Sequence, residues 1–183
     1  WNMVSFPQAG SGTAVGTVLP QFGTKYNQLT AATPTNGIFK SYAGEADFDQ
    51  FTTVNASEGY WLWVTDPAGA TLSWANGPGM TASKALKAGW QLLPAPARAM
   101  TTAAWMNNLQ AGVDYGEIKT YSGGAFANAT AVEPGRAYLV QILRDTTWTP
   151  PAAMVGGETR FVYDGAGARI KKITAAGTTT FVG

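Results

Sequence analysis

The feature that most narrows what this chain can fold into is an ordered set of strand-like segments that occurs twice. WNMVSFP (1–7), GIFKSYAG (37–44) and SEGYWLWV (57–64) are followed, in the same order, by WQLLPAP (90–96), GEIKTYSG (116–123) and PGRAYLVQI (134–142). Each set runs from a Trp-led apolar strand ending in Pro, through a polar stretch, to a strand ending Tyr-x-Gly and an aromatic strand opened by a turn. Recurrence of this kind marks a duplicated structural unit. It predicts two related modules, residues 1–88 and 89–145, and a chain of 183 residues has room for two small domains.

The segments themselves predict strands. Short runs rich in Val, Ile, Tyr, Trp and Thr are bounded by Asn-Gly (36–37 and 76–77), Asp-Pro (66–67) and Gly-Pro-Gly (77–79), which are turn signals. One short helix is expected over 101–110, where Ala103, Ala104, Trp105, Met106 and Leu109 follow a partial helical period behind a Thr cap. Its counterpart near residues 15–26 is interrupted by Pro20 and Gly23. The expected fold is all-β: two small antiparallel β-domains, sandwich or partly closed barrel, with a minor helical element. Residues 146–158 (TTWTPPAAMVGGE) read as a Pro/Gly linker and 159–183 as a terminal hairpin.

Alternation sorts the aromatic strands into faces. Tyr60, Leu62 and Val64 share one face, matched by Tyr138, Val140 and Ile142, and this is the expected core face. Trp61 and Trp63 share the other, where the second copy has Leu139 and Gln141. Two indoles side by side are explained by burial between layers, by an interface with a partner, or by a platform for a glycan, since Trp offers a large apolar area with a polar handle.

Charge and inventory exclude whole classes. The 12 basic and 11 acidic residues form no Lys/Arg stripe able to neutralise a phosphate backbone, which argues against nucleic acid. No apolar run reaches the ~18 residues of a membrane span. With no His and no Cys, His-based triads, Cys-His dyads and thiolate or His-ligated metal sites are ruled out. The remaining acids of interest are Glu45, Asp47 and Asp49, whose spacing of two places them on one face of a strand and suits solvent better than catalysis; the second copy, GGAFANAT, has no acid there. The same run lacks the Gly and closing Glu of an EF-hand calcium loop. The chain is expected to be non-enzymatic, with no cofactor and no metal. Asn55-Ala-Ser and Asn128-Ala-Thr match the glycosylation sequon, although turn-forming Asn explains both. A start at Trp1 rather than Met is what a processed or excised piece would show.

The WNMVSFP, GYWLWV and SKALKAGWQLL run resembles the "GWNLVSLP…GYWV…LKAGWNLV" modules of bacterial secreted and surface proteins, in two copies, with Leu92-Leu93-Pro94 and Ala137-Tyr138-Leu139 departing from that pattern. No catalytic residues belong to that module type. The terminal stretch, with Tyr163-Asp164, Gly165, Gly167, Arg169, Ile170, Ile173 and GTTTFVG (177–183), resembles an RHS/YD repeat. That resemblance implies an extracellular or cell-surface setting in a larger secreted bacterial protein. A single repeat does not bury its own apolar face. Phe161, Tyr163, Ile170, Phe181 and Val182 are therefore the expected strand-pairing edge, docking on the preceding domain or on another chain. Basic Arg169, Lys171 and Lys172 on such a hairpin discourage unwanted pairing. The expected function is a structural module, self-associating through strand pairing into a filament or packing on other parts of its parent; the alternative is a carbohydrate-binding or adhesive module using Trp61 and Trp63.

Overall fold

The computed structural model describes residues 1–7, 9, 12–20, 22–32, 39–47, 49–67, 70–74, 82–151, 159–163, 169–174 and 177–180. Among the described residues strands dominate and helix is confined to two short segments, an all-β fold in which none of the described sheets closes into a barrel. The first half runs β1 (Asn2–Ser5), β2 (Thr13–Ala14), α1 (Val15–Val18), β3 (Tyr26–Ala32), β4 (Phe39–Tyr42), β5 (Thr53–Val54), β6 (Gly59–Val64) and β7 (Ala70–Trp74). Next come β8 (Lys84–Leu86), β9 (Gly89–Pro94), β10 (Met100–Thr101), α2 (Thr102–Met106), β11 (Tyr115–Ser122), β12 (Ala125–Asn128), β13 (Ala131–Val132), β14 (Ala137–Ile142) and β15 (Thr146–Trp148). The last three are β16 (Thr159–Tyr163), β17 (Arg169–Thr174) and β18 (Gly177–Thr180).

One antiparallel sheet has the order β1-β6-β3-β4 and another β9-β14-β11-β12, so the first and last segments of each set, β1 and β6, β9 and β14, occupy corresponding places. The middle ones do not: GIFKSYAG contributes β4, in the place of β12, and GEIKTYSG contributes β11, in the place of β3. Each has a two-stranded ribbon beside it, β2 with β5 and β10 with β13. The entry turns also match. Gly23 and Gly112 take positive φ, 87° and 77°, and their N–H groups donate to the carbonyls of Tyr26 and Tyr115 at 2.7 and 2.8 Å. Only a residue without Cβ adopts that conformation freely. Both turns lead into a strand with a register irregularity, between Tyr26 and Gln28 and between Tyr115 and Ile118.

The expected core face is the buried one: Tyr60, Leu62 and Val64 pack with Val4, Leu29 and Val15, and Tyr138, Val140 and Ile142 with Leu93, Ile118 and Trp105. The second helix is capped by Thr101, whose Oγ1 accepts from the Ala104 N–H at 3.2 Å. It ends earlier than its period suggests, because Asn107 turns to φ 49°. Leu109 still reaches the core through a turn in which its N–H donates to the Met106 carbonyl. The first helix stops after Val18, two residues before Pro20. β8 and β15, which flank the 89–145 stretch, pair with Leu86 opposite Thr146 and Lys84 opposite Trp148, and Leu86 and Trp148 pack in the second core, so Thr146–Trp148 is strand rather than linker.

The terminal strands dock within the chain. β16 pairs antiparallel with β7 on one side and β17 on the other, in a sheet ordered β18-β17-β16-β7. Phe161 stands opposite Leu72 and Lys172, and Tyr163 opposite Ala70 and Arg169, while Ile170 lies in β17. The expected open edge at Phe161 and Tyr163 is thus a central strand, because β7 supplies a row of backbone groups to pair with. Phe181, Val182, Asp164 and residues 152–158 lie outside the described residues.

The two large sheets meet through part of the faces turned away from their cores. Met3 and Leu92, Trp61 and Leu139, and Gly59 and Ala137 hold corresponding positions in the two modules, and these residues meet at this contact. Like positions facing one another is the arrangement of an isologous interface, here within one chain. Gly59 permits the close approach: a Cβ there would lie 2.8 Å from both the Ala137 Cβ and the Leu92 Cγ. The contact is pinned by the Ser5 hydroxyl, which donates to the Arg136 carbonyl at 2.6 Å, and by the Ser5 N–H, which donates to the Gly135 carbonyl at 3.0 Å.

Candidate functional site

Strand register places the outward side chains of the first sheet in two rows. Met3, Trp61, Thr30 and Ser41 are successive cross-strand partners, and Trp63 pairs with Gln28 one step along. Positions two apart on a strand sit ~7 Å apart on one face, so Trp61 and Trp63 are adjacent there. Trp1 folds back on Trp63, edge to face with ring centroids 4.9 Å apart.

The second module covers only part of this face. Trp61 is half-buried, its ring 5.3 Å from Tyr121 and 6.2 Å from Phe126, which themselves pair across β11 and β12. Trp63 stays 40% exposed and Trp1 36%, so they are not sandwiched between layers. Between the covered and uncovered parts lies an open hollow of about 330 Å³ lined by Trp1, Thr30, Trp61, Tyr121 and Phe126. Volumes of this order hold small ligands. A crevice walled by Pro7, Pro94, Pro96, Pro150 and Pro151 amounts to about 10 Å³, about one water at most.

On the first sheet the polar side chains beside the hollow are uncharged and mutually bonded. The Gln28 amide donates from Nε2 to the Thr30 hydroxyl at 3.3 Å and to the Ser41 hydroxyl at 3.1 Å, and the two hydroxyls lie 3.2 Å apart. At the corresponding places of the second sheet stand Glu117, Lys119 and Asn128. There Lys119 Nζ is 3.1 Å from the Glu117 carboxylate and donates to Asn128 Oδ1 at 2.6 Å. Trp90, the counterpart of Trp1, is 47% exposed and has Gln141 as its strand partner where the first sheet offers Trp63.

Under each sheet a buried phenol fixes the turn before the aromatic strand. The hydroxyl of Tyr60 accepts from the Asn55 N–H and that of Tyr138 from the Glu133 N–H, both at 2.9 Å. Burial pushes the Tyr26 and Tyr138 phenols up to about 12, and burial, reinforced by the Glu58 carboxylate, pushes Tyr60 up as well. Lys84 donates from Nζ to the Ser57 carbonyl at 2.8 Å, and burial lowers its pKa against the pull of Glu58.

The acids are not gathered. Glu45, Asp47 and Asp49 follow β4 in a loop rather than on a strand face, because Asp49 Oδ1 accepts from the Ala43 and Gly44 N–H groups at 2.7 and 3.1 Å and turns the chain. No group of three metal-ligating side chains occurs among the described residues. Of the sequon residues, Asn55 Oδ1 accepts from the Gly12 N–H and Asn128 Oδ1 from Lys119. No helix among the described residues is long and apolar enough to cross a membrane.

The sequence singled out Trp61 and Trp63 but not Trp1, Thr30, Tyr121 or Phe126, which complete the hollow. Their outward positions follow from alternation, yet their meeting depends on cross-strand register and on how the modules dock. Compared with known protein families, curated proteins and solved structures, the chain matches none.

Proposed function

We propose that this chain is a non-enzymatic binding module of a bacterial extracellular or cell-surface protein of the RHS/YD-repeat kind, and that it takes a glycan into the aromatic hollow between its sheets. The observation that carries this reading is the hollow itself, with Trp1, Trp61, Tyr121 and Phe126 around it and the Thr30 hydroxyl among them. Indole and phenyl faces remove the C–H face of a sugar ring from water, while adjacent hydroxyl and amide groups replace the hydrogen bonds that its hydroxyls lose. The absence of His and Cys supports a binding rather than a catalytic role.

Calorimetric titration of the purified chain against neutral glycans tests it. Saturable binding that Phe126→Ala weakens by about tenfold is expected, since Phe126 is 52% exposed and its loss leaves both cores intact. Absence of heat and of tryptophan fluorescence change with every glycan would overturn it.

A second reading, assembly by strand pairing, rests on β18, the outer described strand of the order β18-β17-β16-β7, while the docking of β16 on β7 within the chain counts against it. Light scattering of the chain with and without residues 158–183 tests this: oligomers lost on deletion support assembly, and a monomer in both forms removes it.

A further inference from the structure

We infer that the hollow continues along the outer face of the first sheet as a track for a linear, uncharged oligosaccharide, with Trp1 and Trp63 as a second stacking position and Gln28, Thr30 and Ser41 as its polar wall. This rests on the glycan reading and specifies its ligand. Continuity comes from Trp1, which lines the hollow on one side and packs against Trp63 on the other. Both indoles keep over a third of their surface in solvent, which leaves ring area for a second sugar. The ~7 Å step from Trp61 to Trp63 separates two stacking positions enough that one ring does not fill both.

The polar wall selects by charge. Both Nε2 bonds of Gln28 are spent on Thr30 and Ser41, which orients the amide and leaves its carbonyl oxygen to accept from a ligand hydroxyl. The side chains of this wall and platform carry no charge, so they give a uronate or sulfated sugar no cation in exchange for its lost hydration. The corresponding face of the second sheet has a closed Glu117–Lys119–Asn128 cluster and a single indole, Trp90, which makes the track a property of the first sheet alone.

The test is calorimetry of the full chain with neutral cello-, manno- and xylo-oligosaccharides from monosaccharide to hexasaccharide, and with oligogalacturonates as charged counterparts. Affinity for at least one neutral series is expected to rise about tenfold with length as the second position fills. Trp63→Ala should abolish that rise. Gln28→Ala, which keeps both indoles, should weaken the longer chains by about fivefold. Unchanged length dependence in both variants, or tighter binding of oligogalacturonates, would sink the track while leaving the hollow standing. No binding of any sugar by the wild-type chain would remove the glycan reading itself. Trp90→Ala, the matched change on the other sheet, should leave all affinities unchanged.

Discussion

In the first module the turn before β3 is tied to the end of β6 by Lys25 and Asp66, 3.2 Å apart; in the second, the same two positions hold Asp114 and Arg144, 2.7 Å apart, with the signs exchanged. The backbone bond beside each pair is retained, Thr65 N–H to the Lys25 carbonyl at 3.0 Å and Leu143 N–H to the Asp114 carbonyl at 2.9 Å. What the duplicated fold keeps is the geometry of a contact, while the residues that make it are exchangeable. The cores diverge in the same manner. The second packs Trp105 edge to face on Trp148, whose indole N–H donates to the Trp105 carbonyl at 3.0 Å, where the first relies on Val15, Val18 and the Phe6–Tyr60 contact. The outer faces differ in charge: the first carries Gln28, Thr30 and Ser41 beside its indoles, and the second an ion-paired Lys119 and Glu117 beside Tyr121 and Phe126.

The largest effect should come from the core contrast. Trp105→Ala removes one of the two largest fully buried side chains among the described residues and should cost about 3–5 kcal/mol, against about 2 kcal/mol for Val18→Ala in the first module. Urea unfolding of both variants measures this, and equal losses would mean that the two cores are not unequal in the way their packing suggests. Gly59→Val comes next: its Cβ would collide with Ala137 and Leu92, and about 1–3 kcal/mol should be lost as the sheets part. Increased exposure of Trp61 to a fluorescence quencher would locate the damage at the shared interface. An unchanged variant would mean that this contact does not hold the modules together.

Alkali should weaken both modules. The Tyr26 and Tyr138 phenols ionise at about 12 when folded and near 10.0 when unfolded. The stability they contribute is complete below pH 10 and is lost as pH rises towards 12. Ultraviolet titration should show part of the seven tyrosines ionising late, and a single transition near the ordinary value would contradict this.

The smallest effect belongs to the exchanged ion pairs. Lys25→Asp alone should cost under about 1 kcal/mol, and Lys25→Asp with Asp66→Arg should restore it, since such pairs contribute little where solvent reaches them. The Asp114 carboxyl is held below its usual 3.8 by the Gln110 N–H and by Arg144, so its contribution is present above that value and fades as pH falls below it. Arg144→Ala should narrow that acid dependence.

Much of this arrangement was legible in the residues. Alternation identified Tyr60, Leu62 and Val64 as core because a strand shows one face to each side, and a Thr cap was expected at Thr101 or Thr102 because a helix start needs an acceptor; the structure decides for Thr101. The acids misled, because spacing alone does not reveal that Asp49 bonds backward to Ala43 and Gly44 and makes a loop. The terminal hairpin was recognised as strands, but its partner β7 was not, since pairing between residues 70–74 and 159–163 leaves no local signature.

By itself the sequence determined the β class, the recurrence of the Trp-led and aromatic strands and the exclusion of His- and Cys-based chemistry, all of which depend on residue type and local period, whereas the match of 37–44 with 116–123 was undone by the sheet order. Only the tertiary structure decided that Trp61 is half-covered while Trp63 is open, and that Tyr121 and Phe126 join Trp1 and Thr30 around one hollow. Those facts depend on register and on the close approach that Gly59 allows, which are long-range consequences of packing that no short stretch of chain encodes.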